Sequence, residues 1–84
     1  MKKNLKAREI IFTIIDNQIK NNDPPDTLKV FNKLKSQGYS EFEAKQLIGQ
    51  CIAVEIYNMM KYKKPSDNER YIRNLNNLPK EPFE

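Results

Sequence analysis

Cys51 and Glu55 stand four residues apart in the stretch IGQCIAVEIYNMM, residues 48 to 60. On a helix that spacing puts a thiol and a carboxylate on one face, where both could reach one cation or a small ligand. The donor set stops there. The chain has no His, and no second acidic pair of the Glu-x-x-His kind found in helical metal sites accompanies the two. The missing His also removes the commonest general base, and a lone Cys without a His partner reads as a small core residue before it reads as a nucleophile. Gly38 and Gly49 stand far apart, so there is no glycine-rich phosphate loop. The expectation is therefore a protein without catalysis, with no metal and no cofactor.

A second group with chemical potential is Lys61, Lys63 and Lys64, with Tyr57 and Tyr62 beside them. Lysines next to aromatic rings can hold phosphate and stack a base. The same lysines also suit the negative end of a helix dipole, and a solvated helix end explains them without a ligand. No recognisable helix-turn-helix pattern accompanies them, and the helix that follows Gly38-Tyr39-Ser40 is too apolar to lie in a DNA groove. Nucleic-acid association through the Lys61–Lys64 end is the alternative reading. Metal or small-ligand binding at Cys51 and Glu55 is the third.

Four helices are expected to position these groups. In residues 3–21, Leu5, Ile11, Phe12, Ile15 and Ile19 share one side at about 100° per residue, with Ile10 and Ile14 widening the stripe. NNDPPDT then breaks the chain: Asp23 is placed to cap the next helix, Pro24 to open it and Asp26 to favour its positive end. The second helix, residues 25–37, carries Leu28, Val30, Phe31 and Leu34 and stops at Gly38, which tolerates a left-handed conformation. Ser40-Glu41-Phe42-Glu43 fits a capping box and starts a third helix, residues 41–63. Pro65 ends it. Ser66-Asp67-Asn68-Glu69 fits a second box and opens a fourth helix, residues 67–77, with Tyr71, Ile72, Leu75 and Leu78 on its apolar side. No alternating strand pattern appears, so the fold class is all-α, a small antiparallel bundle of four helices with the third at its centre. Residues 1–84 make one domain, with 79–84 a loose tail unless Phe83 docks on the body.

Within the third helix, Ala44, Cys51 and Tyr62 define the centre of the buried stripe, and Glu55 lands about 40° from it. Asn58 lies on the same side. A buried carboxylate must be satisfied, and a hairpin turning near residue 64 offers Tyr71, whereas Arg70 and Arg73 point away on the wheel. Arg8, on the inner stripe of the first helix, is the other option. The expected buried network is Glu55, Asn58, Tyr71 and Arg8, fixing helix register. Gly49 and Ala53 form a small-x-x-x-small pair opposite the main stripe, with Ile56, Tyr57 and Met60 also off it. This helix is thus apolar on more sides than a surface helix needs: the first reading is that the other three helices surround it, and the alternative is that its extra face meets a second chain.

The totals bound these readings. With 84 residues, 38% of them apolar, the chain can build one modest core, and association with another chain is a natural support for it. The net charge of +4 is spread thinly, with eight cations against five acids in the first half and seven against six in the second. A single Cys and the absence of a secretory leader point to a reducing cytoplasm. No stretch approaches the roughly 20 apolar residues of a membrane helix.

Four segments, PPDT at 24–27, GYSEFEA at 38–44, IGQCIAVEIYNMMK at 48–61 and DNERYIRNLNNLP at 67–79, resemble a family of short, uncharacterised bacterial proteins, a domain of unknown function. The resemblance covers residues 24–79 and implies an all-helical domain whose pattern has residues similar to Gly49, Glu55 and Tyr71. It implies no activity, substrate or cofactor. The expected role is protein–protein interaction, with self or another chain, through apolar surface on the first or third helix.

Overall fold

The computed structural model describes residues 2–82, with side chains from Ala7 to Pro82. Four helices run in chain order: α1 (Lys2–Asn21), α2 (Pro25–Ser36), α3 (Glu41–Tyr62) and α4 (Asn68–Asn77). No strand occurs among the described residues. The place of the Leu5 side chain in the first stripe and the docking of Phe83 lie outside the described residues.

The helix ends follow local hydrogen bonding. Asn22 closes α1 in the left-handed region, φ 53°. Its N–H donates to the Ile19 carbonyl and that of Asp23 to the Gln18 carbonyl, which satisfies two acceptors of the last turn. Gly38, φ 102°, does the same after α2: its N–H reaches the Lys35 carbonyl and that of Tyr39 reaches Leu34. The Ser40 capping box is formed in full, with Ser40 Oγ accepting from Glu43 N–H and Glu43 Oε1 accepting from Ser40 N–H.

Two expected caps differ. Asp23 does not cap α2: the helix opens at Pro25 with Pro24 as its N-cap and no side-chain cap bond, because the second proline already supplies the helical φ and has no N–H to satisfy. Ser66 does not cap α4 either. Asp67 takes that position and accepts from Arg70 N–H at 3.1 Å, one residue later than the Ser66–Glu69 pattern suggests.

The apolar stripes meet in one core built from Ile15, Val30, Phe31, Leu34, Ile48, Cys51, Ile52, Tyr71, Leu75 and Leu78, together with Ala44. Both α2 and α3 pack against all the other helices, whereas the backbones of α1 and α4 do not meet. The third helix therefore shares the centre with the second. Gly49 explains how α1 reaches α3: a Cβ there would stand 3.1 Å from Ile11 Cγ2 and 3.8 Å from Ile15 Cδ1. Its missing side chain lets the two helices cross closely. The close approach anticipated at Gly49 is thus made within the chain.

Candidate functional site

Glu55 is carried inward by the main stripe of α3, and its side chain is only 7% exposed. Both of its oxygens are engaged. Arg70 Nε donates to Oε2 at 2.7 Å and an Arg70 terminal nitrogen donates to Oε1 at 3.0 Å, a two-pronged pair, while the backbone N–H of Asp67 also donates to Oε1 at 2.7 Å. In an ordinary capping box the third residue of the helix accepts from the N-cap amide. In α4 that third residue is Arg70, which has no acceptor. Glu55 supplies the acceptor from a neighbouring helix and then neutralises the arginine that stands where the acid would be. A carboxylate at a helix N-terminus is also favoured by the dipole.

The expected network of Glu55, Asn58, Tyr71 and Arg8 is thus rearranged. Glu55, Asn58 and Tyr71 are all buried, but each has a different partner. Asn58 Nδ2 donates to the Val54 carbonyl of its own helix at 2.9 Å. Tyr71 Oη donates to Gln18 Oε1 at 2.7 Å. Arg8 is exposed on α1 at the edge of the groove between α1 and α3. Arg70, which the helical wheel turns away from Glu55, is the true partner. Side chains lean toward the N-terminus of their helix, so Arg70, in the first turn of α4, reaches back over the connector to α3.

A second polar cluster was not signalled by the sequence. Gln18 Oε1 accepts from both Tyr71 and Thr27, the latter at 2.6 Å, so one amide carbonyl ties α1 to α2 and α4. It is a polar link across the gap where the α1 and α4 backbones do not meet. Burial raises the Tyr71 phenol above its ordinary range, and the bonds to Thr27 and Gln18 offset part of that.

These bonds decide what Cys51 and Glu55 can do chemically. Among the described residues, no three His, Cys, Asp or Glu side chains gather to hold a metal. The Cys51 thiol is fully buried, and burial, reinforced by the nearby Glu55 charge, pushes its pKa from 9.0 to about 12. It keeps its proton and points it at the Leu47 carbonyl. With both Glu55 oxygens already bonded, the pair offers no open donor set. Cys51 should therefore resist a thiol-specific alkylating agent at pH 8 in the native state and react only as fast as the protein opens, as checked by comparing labelling with and without denaturant. The neutral thiol's contribution to stability is intact below pH 9 and is lost as pH rises from there through about 12, which urea titrations across that range measure.

The basic end is also structured. Lys61 Nζ lies over the rings of Tyr57 and Tyr62, 5.4 and 5.3 Å from their centres. Lys63 adopts a left-handed φ of 55° as α3 ends, and Lys64 borders a hollow of about 340 Å³ shared with Asp67 and Arg70. An acid and a neutralised arginine in that hollow weaken it as a phosphate site.

The surface of α3 is the remaining feature. Met60 is 74% exposed, Phe42 50% and Tyr57 46%, and Ala53, Gln46 and Gln50 lie open between them. Beside this face runs a groove of about 580 Å³, walled by Ala7, Ile11 and Phe12 of α1 and by Gln46, Gln50 and Ala53 of α3. Of the small pair on this helix, Gly49 holds α1 and Ala53 faces outward. No helix among the described residues is long and apolar enough to cross a membrane. No family model, curated protein or solved structure matches the chain.

Proposed function

We propose that this chain is a protein–protein interaction module without catalysis, acting by self-association through the apolar surface of α1 and α3. The observation that carries this reading is the open face of α3, where Tyr57 and Met60 stand in solvent beside a half-exposed Phe42 whose ring packs on Phe12 of α1, although the core beneath them is closed. A helix that presents apolar groups outward on a highly charged small protein costs solubility unless the face is covered. The buried polar groups act in support of this role. Glu55, Arg70 and Gln18 hold the helices in register, so that the outer face of α3 is presented rigidly. The test is the mass in solution: light scattering over a hundredfold concentration range should report twice the chain mass at the upper end. A strict monomer throughout removes the reading.

A second reading has one observation in its favour, the cluster of Lys61, Lys63 and Lys64 beside Tyr57 and Tyr62. It expects a retarded band with single-stranded nucleic acid at low salt, lost as salt rises. No retardation at low salt rules it out.

A further inference from the structure

The outward side of α3 has an internal order that names its occupant. Residues 43, 46, 50, 53, 57 and 60 follow one another at spacings of three and four, the seam of a two-helix coil, and all six are exposed. They read Glu43, Gln46, Gln50, Ala53, Tyr57 and Met60. Between Gln46 and Met60 the only charged residue is Glu55, which is buried on the opposite side. An exposed seam about 21 Å long without a charge is unusual in a chain of which 31% is charged.

The ends of the seam differ in charge: the acids at its start are partly offset, Glu41 by Lys35 at 3.5 Å, whereas the lysines at its finish stand together. Glu41 and Glu43 lie at its start, and Lys61, Lys63 and Lys64 at its finish. A parallel copy would set the Lys61, Lys63 and Lys64 cluster against its own copy. An antiparallel copy sets each lysine cluster against the end that carries Glu41 and Glu43.

Resting on the self-association reading, the geometry points to a second copy of this chain as the occupant, packed through α3 against α3 in antiparallel, two-fold symmetric fashion. The register in which the whole seam overlaps places Glu43 beside the partner's Met60 and Lys61, Gln46 beside the partner's Tyr57, and Gln50 beside the partner's Ala53. In such a two-fold arrangement every contact is made twice. Ala53 and Gln50 flank the axis, where a small residue allows close approach. The Gln46 amide meets the partner's Tyr57 hydroxyl, so that polar pair is bonded as it is buried, while Gln50 beside the small Ala53 keeps its amide at the solvent edge of the seam. Met60, the most exposed of the large apolar side chains, enters the end of the α1–α3 groove beside Phe12 and Tyr39 of the partner.

Cysteine cross-linking reads this register directly. A disulfide requires Cα atoms about 4.4–6.8 Å apart. An equimolar mixture of Gln50→Cys and Ala53→Cys proteins, oxidised with copper phenanthroline, should give a covalent dimer. Gln46→Cys alone should not, because its two copies would lie about 16 Å apart along the paired helices. Ala53→Glu, an exposed position, should keep the helical circular dichroism of the parent and halve the mass seen by light scattering. Ready cross-linking of Gln46→Cys overturns the antiparallel register. A native protein that is dimeric, with Ala53→Glu still dimeric and no cross-link between positions 50 and 53, overturns this surface and leaves self-association standing. A native protein that stays monomeric overturns both.

Discussion

Replacing Glu55 by glutamine should destabilise the protein by about 3 kcal/mol, the lower end of what breaking a buried ion pair costs. The change is nearly isosteric, so no cavity contributes. What is lost is the charge that offsets Arg70, whose side chain is only 19% exposed, and one of two acceptors shared between the guanidinium and the Asp67 amide. The glutamine amide can still accept from Asp67 N–H, but its NH2 then faces the guanidinium donors. Urea denaturation should show a lower midpoint with an unchanged slope. Removing both partners, as Glu55→Leu with Arg70→Met, should recover much of the loss, because neither charge is then stranded. A Glu55→Gln protein as stable as the parent would mean that the pair is not formed in solution.

The part of this site that the sequence made legible is the burial of Glu55. A carboxylate at about 40° from the centre of an apolar stripe has to face inward, and it does. Its partner was not legible, because the wheel treats α4 as an isolated cylinder. The first turn of a helix is where that treatment fails: Arg70 is long, leans toward the N-terminus and reaches back past the connector to Glu55 on α3. The Ser66–Glu69 spacing misled for a related reason. Serine and aspartate are both good caps, and the choice between adjacent candidates depends on where the chain comes off α3.

Helix existence was legible at every element because each is followed by a stop that local chemistry dictates: the NNDPPDT break, Gly38, Pro65 and Pro79. The open face of α3 was legible only in part. Gly49, Ala53, Ile56, Tyr57 and Met60 all fall off the main stripe, and nothing in their spacing separates those that α1 covers from those left in solvent. The structure divides them: Gly49 lies under Ile11, Ile56 is half-buried, and Ala53, Tyr57 and Met60 stay open. The crossing of α1 decides the division, and a helix crossing is a property of two stripes together.

Gln18→Leu should cost about 2–3 kcal/mol, most of it from polar groups left behind and little from the glutamine itself. Gln18 Oε1 is the acceptor for two hydroxyls, those of Thr27, which is fully buried, and Tyr71, which is 6% exposed. Leucine fills a similar volume and accepts nothing, so both hydroxyls lose the same acceptor at once and keep only each other. Thr27 has no route to water. Tyr71→Phe removes one donor and leaves Gln18 bonded to Thr27, so it should cost only about 1 kcal/mol. The two substitutions together should depart from the sum of their separate effects, because the Thr27 and Tyr71 hydroxyls share the Gln18 acceptor and also bond each other. Additive effects in urea denaturation would show that the shared acceptor does not couple α1 to α4. The coupling matters because α1 and α4 have no backbone contact, and the Gln18–Tyr71 bond ties α1 to α4 beside the apolar crossing of α1 on α3 at Gly49. If the register is lost, α1 shifts across Gly49 and the groove beside the outer seam of α3 changes shape. On the proposed self-association, Gln18→Leu should then weaken dimerisation as well as folding, although Gln18 lies outside that seam.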